Sequence, residues 1–301
     1  MKIYQRAVKT AKINSWRKFV EEESQKDAWG IVYRLMNKKL TPREAATAIS
    51  KENHHTTSWR ETANAILDAF VIPDIHEDDS PQQTDIRNRN SHHITYSEPL
   101  YDLTMAQIGQ IVKERKNKKT PGIDLIEVEI FKATWPVMGE VYTNLYKACL
   151  RTGTFPNNRK KGRLHAVLKP GKRNPTSLTA YRPICLLPIP AKVLETLILQ
   201  QLNEHITELK NTSDIMKHQF EFERGKSTTD AINKLILTTE RTTDKYVMGI
   251  FVDIRGAFDH IWWPDFLDAL RTNNTPAGIY NIIHSYLSHR EVLIQEGSIT
   301  I

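Results

Sequence analysis

Cysteines and long apolar runs are scarce in this sequence. The 301 residues include only two cysteines, Cys149 and Cys185, and neither stands at a metal-ligand spacing. This excludes a disulfide scaffold and favours a reducing intracellular compartment. No run approaches the ~18 consecutive apolar residues of a membrane helix, and the first residues lack the apolar core of a secretory signal. We therefore expect an intracellular protein that does not contact a membrane.

Acidic residues are absent from residues 141–194, although that segment contains eleven Lys and Arg. The whole chain has 42 Lys and Arg against 35 Asp and Glu, a formal net charge of +7. A block of one sign is typical of a surface that binds a polyanion, and nucleic acid is the partner that we favour. A solvated basic face without a specific partner is the alternative.

The coarse pattern along the chain predicts an α+β fold. Residues 1–72 have helical patterns, whereas residues 73–98 are polar and rich in turn formers, which is typical of a linker. From residue 99 onwards helical and extended patterns alternate. Within this part, Thr104 with Gln107 and Ser227 with Asp230 form capping boxes, and Pro190 opens a long helix.

One helical segment carries apolar residues at helical spacing, which we expect to face a core. They are Val137, Met138, Val141, Tyr142, Leu145, Tyr146, Cys149 and Leu150.

Two short extended runs, 164–168 and 181–187, flank a turn with the sequence Lys-Pro-Gly-Lys at 169–172. Their spacing predicts a finger-like hairpin with a basic loop that could contact phosphates.

A nearly continuous apolar run, 246–252, is followed directly by Asp253. The run has strand length, so we expect a strand buried on both faces. A carboxylate at the end of such a strand lies at the mouth of a cleft, where divalent metals and phosphates bind. Alternatively, Asp253 caps the following turn or pairs with Arg255.

Six motifs in this order resemble the reverse transcriptase of insect non-LTR (LINE-type) retrotransposons, nearest the clade that inserts into ribosomal DNA. They are Thr-Pro-Gly-Ile-Asp at 120–124, Lys-Pro-Gly-Lys at 169–172, Tyr-Arg-Pro-Ile-Cys-Leu-Leu at 181–187, Gln-Phe at 219–220, Gly-Lys-Ser-Thr at 225–228 and Phe-Val-Asp-Ile-Arg-Gly-Ala-Phe-Asp at 251–259. The resemblance covers residues 99–301. Residues 1–72 are similar to the segment that joins the endonuclease to the polymerase in those polyproteins.

The resemblance implies a right-hand polymerase, with fingers at 99–245 and the first half of the palm at 246–301. Such enzymes copy an RNA template from a DNA primer with deoxynucleoside triphosphates (dNTPs) and two Mg²⁺ ions. The partners implied are therefore RNA template, DNA primer, dNTP and the remainder of the element's polyprotein. The nucleus is the implied location. The basic clusters 116–119 and 159–161 are of the kind that the nuclear import machinery recognises.

The same resemblance assigns five site residues. Asp253 is implied as the first metal-binding carboxylate, with the backbone carbonyl of Ile254 as the next ligand. Lys169 and Arg182 match the residues that hold the incoming triphosphate. Phe258 matches the steric gate, whose ring occupies the place of a ribose 2′-hydroxyl.

The sequence departs from the family pattern in two respects. No aromatic-x-Asp-Asp motif follows Asp253 within the chain, so we expect a truncated fragment that is inactive alone and poorly soluble. Residues 219–223 are Gln-Phe-Glu-Phe-Glu, where the family usually has Gln-aromatic-Gly-Phe-Arg. The alternative function is a non-catalytic RNA- or DNA-binding remnant that acts only through its basic block. A metal-dependent phosphohydrolase is disfavoured, because its Asp-x-Asp motif and downstream acids are missing.

Overall fold

The computed structural model describes residues 10–11, 13–18, 20–22, 49–51, 54–95, 103–169, 176–210, 218–223, 225–244, 246–254, 256–257, 260–296 and 299–300. The chain divides into two compact units. The first comprises residues 1–62 with 173–177, and the second comprises residues 63–172 with 178–301. The described residues combine helices with a small sheet, which is the α+β arrangement expected from the sequence.

The first unit contains helical residues between 10 and 22 and a short antiparallel pair of strands, β1 (Ser50–Lys51) and β2 (His54–His55). The backbone N–H of Ile49 donates to the Thr56 hydroxyl at 2.8 Å, and that hydroxyl lies 2.7 Å from the Thr62 hydroxyl. The sequence predicted helices throughout residues 1–72, but this segment is not wholly helical. Buried threonine hydroxyls stabilise a strand pair just before the next helix. That helix is α1 (Trp59–Phe70).

The second unit packs helices around one apolar core. Its helices are α2 (Pro81–Arg89), α3 (Met105–Glu114), α4 (Val128–Thr152), α5 (Ile189–Lys210), α6 (Thr228–Arg241), α7 (Trp263–Thr272) and α8 (Ala277–Leu287). Its strands are β3 (Lys161–Leu168), β4 (Tyr181–Leu186), β5 (Glu291–Leu293), β6 (Gln295–Glu296) and β7 (Ile299–Thr300). Tyr146 is almost fully buried in this core and donates its hydroxyl proton to the Pro190 carbonyl at 3.0 Å.

Locally encoded elements agree with the sequence. The capping boxes of Thr104 with Gln107 and of Ser227 with Asp230 are both formed, at the starts of α3 and α6. The hairpin is confirmed as β3 paired with β4 in antiparallel register, with Val167 opposite Arg182. On its other edge β3 pairs in parallel with β5.

Helix α4 buries only part of the apolar face that the sequence assigns to the core. Tyr146, Cys149 and Leu150 are buried, but Val137 and Val141 are 82% and 59% exposed. Met138 and Leu145 are exposed as well. The prediction was wrong for these four because apolar periodicity shows which residues share a face, not how much of that face other elements cover.

The segment predicted as a polar linker, 73–98, contains an ordered helix, α2. A capping box of Ser80 with Gln83 starts it, and Pro81 occupies its first turn. After it, the Asn90 side chain donates to Asp268 Oδ1 at 2.8 Å and accepts from the Tyr280 hydroxyl at 3.1 Å. Polar composition alone suggested a linker, but here polar side chains attach the segment to α7 and α8.

Arg87 of α2 pairs with two carboxylates at once. Its guanidinium donates to Asp74 at 2.7 and 2.8 Å and to Asp79 at 2.6 and 3.0 Å. These hydrogen bonds lower the pKa of Asp74 and of Asp79 below the ordinary value of 3.8. Both carboxylates therefore stabilise the fold above the ordinary Asp pKa, and this contribution is lost as the pH falls through the lowered values.

We expect Arg87→Gln to lower the free energy of unfolding at pH 7 and to have a smaller effect at pH 2, below the ordinary Asp pKa, where protonation of Asp74 and Asp79 has begun to remove the contribution. Urea unfolding of both proteins at the two pH values measures this. Lys113→Gln, at an exposed position of α3, controls for the lost charge. An Arg87→Gln effect that is the same at both pH values would contradict the assignment.

Candidate functional site

A cleft of about 890 Å³ in the second unit collects residues that are far apart in the sequence. Lys169, Arg182, Asp253 and Ile254, which the sequence predicts as site residues, all line it. Phe258 lies outside the described residues, although its neighbours Gly256, Ala257 and His260 line the cleft too. The remaining lining residues are Ala69, Phe70, Ile72, Leu178, Thr179, Tyr181, Pro183 and Glu221.

The β3–β4 hairpin places the two cations. Lys169 directly follows β3; its backbone N–H donates to the Ala180 carbonyl at 2.7 Å and its Nζ to the Thr179 carbonyl at 2.8 Å. An ammonium group has three donors, so this contact leaves two for an anion. Arg182 is exposed on the opposite strand, in register with Val167. Both cations thus lie at the same end of one hairpin.

Residues 246–254, which lead to and include Asp253, do not form the predicted strand. They have no regular secondary structure, and Phe251 and Val252 are each 84% exposed. A strand buried on both faces needs hydrogen-bonded neighbours and covering layers, and the described part of the chain provides neither for this segment. Asp253 is exposed and still lines the cleft.

A tight turn follows Asp253. Gly256 has φ +63°, and a Cβ built there would lie 2.6 Å from Nδ1 of His260. The carbonyl of Gly256 accepts from the His260 backbone N–H at 3.1 Å and lies 2.8 Å from His260 Nδ1. Glycine is favoured here because φ +63° is a left-handed backbone conformation that residues with a Cβ rarely adopt.

Glu221 is a cleft residue that the sequence reasoning did not identify. It belongs to the altered motif at 219–223, which was noted only as a departure from a family pattern. Hydrogen bonds hold its turn: Gln219 Nε2 donates to the Glu221 carbonyl at 2.9 Å, and Lys226 Nζ donates to the Gln219 carbonyl at 2.6 Å. Sequence alone could not show that this turn approaches Asp253.

The acid-free block is not a uniform anion-binding surface. Arg159 pairs with Asp124 at 3.1 Å, and Lys161 pairs with Glu291 at 2.7 Å. Lys160 is buried, and burial lowers its pKa. The basic cluster 159–161 therefore serves the fold. Lys147, Arg151 and Arg182 are exposed, whereas Lys172 and Arg173 lie outside the described residues.

The described cleft does not supply a complete metal site. Among the residues that the structure describes, no group of three or more His, Cys, Asp or Glu is placed to hold a metal ion. Asp253 and the Ile254 carbonyl could contribute ligands to one ion, but two Mg²⁺ ions need more carboxylates than this.

In the described part of the chain, no helix has the length and apolarity to cross a membrane.

Comparison with known proteins supports one family. Residues 167–300 match the family described as reverse transcriptase (RNA-dependent DNA polymerase). The chain is 30% identical over 290 residues to a Pol polyprotein from the type-1 retrotransposable element R1 of Bradysia coprophila, covering 96% of this chain and 27% of that protein.

Two further relatives come from Drosophila. A putative 115 kDa protein in the element R1DM of Drosophila melanogaster is 28% identical over 298 residues, 99% of this chain and 27% of that protein. The RNA-directed DNA polymerase from the mobile element jockey of Drosophila funebris is 31% identical over 196 residues, 64% and 21% of the two chains. The chain thus spans about a quarter of these relatives, and the family match includes Lys169, Arg182 and Asp253.

Proposed function

We propose that the chain carries a reverse transcriptase domain of the kind found in non-LTR retrotransposon polyproteins, and that its cleft binds the dNTP that such a domain adds to a DNA primer on an RNA template. In this proposal residues 99–245 are the fingers and 246–301 the first half of the palm, while residues 1–72 connect the polymerase to a preceding endonuclease. The two R1 relatives favour an element of the clade that inserts into ribosomal DNA. Elements of this kind copy their RNA at a nick in chromosomal DNA, so in this proposal the protein acts in the nucleus.

The observation that carries the proposal is the meeting of Lys169, Arg182 and Asp253 in one cleft. The two cations come from one hairpin, and the carboxylate that lines the same cleft comes from a segment about 70 residues further along the chain. Lysine and arginine bind the oxygens of a triphosphate with charge-assisted hydrogen bonds. A carboxylate in the same cleft binds the divalent cation that accompanies the triphosphate.

Each residue then has a role that its chemistry permits. Lys169 and Arg182 hold the triphosphate, and Asp253 with the Ile254 carbonyl contributes ligands to Mg²⁺. Phe258 acts, in this proposal, as a steric gate against a ribose 2′-hydroxyl, which favours deoxynucleotides. When bound, the metal ions stabilise the charge that develops during phosphoryl transfer.

The metal ligands that this cleft lacks come, in our proposal, from another part of the polyprotein. Asp253 alone cannot hold two like-charged ions about 4 Å apart. We therefore expect this chain alone to bind template, primer and nucleotide without extending the primer.

Primer extension tests the proposal. The purified chain and its Asp253→Ala variant receive an RNA template annealed to a DNA primer, dNTPs and Mg²⁺. Binding of the labelled template–primer and of the dNTP is measured in the same samples. We expect no extension, together with a preference for the dNTP that pairs with the next template base. Asp253→Ala should weaken that dNTP binding only when Mg²⁺ is present.

The other outcomes separate the alternatives. Template binding without any nucleotide preference, with a log–log salt slope of roughly −0.7 per phosphate contact, would favour a remnant that binds only by charge. Extension that disappears in Asp253→Ala would support the polymerase and refute the need for ligands from elsewhere. Extension that persists in Asp253→Ala would refute the role of Asp253.

A further inference from the structure

We propose that Glu221 is a specificity-determining residue of the cleft, whose carboxylate rejects a nucleoside triphosphate that carries no divalent cation. This rests on the proposed function, because it assumes that the triphosphate binds between Lys169 and Arg182. Glu221 would thereby make nucleotide binding at this site depend on the metal complex.

The charges that line the cleft carry the argument. Lys169 and Arg182 provide two positive charges, and Glu221 and Asp253 provide two negative charges. The described lining is therefore formally neutral when His260 is neutral, and it would have a net positive charge without Glu221. Coulomb repulsion grows with the charge of the ligand, so Glu221 opposes a free triphosphate more than its magnesium complex.

These four side chains do not neutralise one another by direct contact. Within the described residues, none of them forms an ion pair within 4.0 Å. Their charges therefore act on the shared volume of the cleft, and because Arg182, Glu221 and Asp253 are exposed, salt screens them. An anion that enters this volume interacts with both carboxylates as well as with both cations.

The turn that carries Glu221 is held in place. Besides the hydrogen bonds of Gln219 and Lys226 described above, the Lys226 backbone N–H donates to the Glu223 carbonyl at 3.2 Å. The Lys226 ammonium also lies 5.4 Å from the centre of the Phe220 ring. The cation of this turn thus contacts the Gln219 carbonyl and the Phe220 ring, while Glu221 lines the cleft.

Titration of dATP, in EDTA and in Mg²⁺, tests this inference in the full chain. We expect Glu221→Gln to bind metal-free dATP about 10-fold more tightly and Mg-dATP about 3-fold more tightly, because the complex has roughly half the charge. The preference for Mg-dATP therefore falls about 3-fold, and high salt reduces the effect. Glu223→Gln, in the same turn but outside the cleft lining, is the matched control and should change neither affinity.

Three results would overturn the inference. They are an unchanged preference in Glu221→Gln, an equal change in Glu223→Gln, or a loss of Mg-dATP affinity in Glu221→Gln, which would make Glu221 a metal ligand. Circular dichroism confirms that each variant is folded.

A Lys169→Ala/Arg182→Ala variant distinguishes this inference from the proposed function. If the variant binds Mg-dATP as tightly as the parent, the proposal that the cleft is the nucleotide site is wrong. If it binds weakly while Glu221→Gln is unchanged, only the inference fails.

Discussion

Gly122→Ala is expected to destabilise the second unit severely. A Cβ built at Gly122 would lie 2.4 Å from the Pro188 nitrogen, 2.5 Å from the Leu187 carbonyl carbon and 2.8 Å from its oxygen. All three are backbone atoms between β4 and α5, so no side-chain rotation can relieve the overlap. Overpacking of this kind typically costs 1–3 kcal/mol, and we expect about 3 kcal/mol or more here because the backbone itself must move.

Urea unfolding measures this effect, with Gly249→Ala as the matched control. A Cβ at Gly249 would approach only the exposed Phe251 side chain, at 3.2 Å, and that side chain can rotate away. We therefore expect a change below about 1 kcal/mol in the control. Equal effects of the two substitutions would show that the close approach at Gly122 is not a structural constraint.

Removal of both cleft cations is expected to abolish most of the nucleotide affinity. A hydrogen bond to a charged group contributes about 1.5–3 kcal/mol, so losing two should weaken Mg-dATP binding by about 100-fold or more. Lys169→Ala/Arg182→Ala tests this by equilibrium titration. The hairpin backbone should remain, because the Lys169 N–H contact with the Ala180 carbonyl does not involve the side chain.

Lys116→Ala/Lys119→Ala is the matched control for net charge. Both lysines are exposed, neither lines the cleft, and the control removes the same two charges from a chain of net charge +7. We expect less than a 3-fold change in Mg-dATP affinity, since neither lysine lines the cleft and salt screens exposed charges. Similar losses in both double variants would show that binding depends on overall charge rather than on the cleft.

Features encoded by neighbouring residues could be predicted from the sequence. The capping boxes at Thr104 and Ser227, the hairpin and the long helix α5 all depend on contacts within a few turns or across one short loop. Lys169 and Arg182 share that hairpin, so their proximity followed from the same local pattern.

Features that depend on distant partners could not be predicted. The exposed face of α4 and the unpaired segment before Asp253 have the apolar patterns of buried elements, but burial requires a covering layer that a pattern does not reveal. Within the predicted linker, Asn90 and Asn281 hold the described residues in place; the Asn281 side chain bonds both the N–H and the carbonyl of Ile94 at 2.7 Å. The approach of Glu221 to the cleft likewise depends on tertiary structure.

The central claim is that the cleft of Lys169, Arg182 and Asp253 is the nucleotide site, and photolabelling tests it most directly. The chain is irradiated with 8-azido-dATP in the presence of Mg²⁺, with and without excess dATP, and the labelled peptides are identified by mass spectrometry. The account predicts that the labels that dATP suppresses fall on cleft-lining segments, at residues 178–183 or 251–260. Suppressible labels confined to other surfaces, such as α4 or α6, would contradict it.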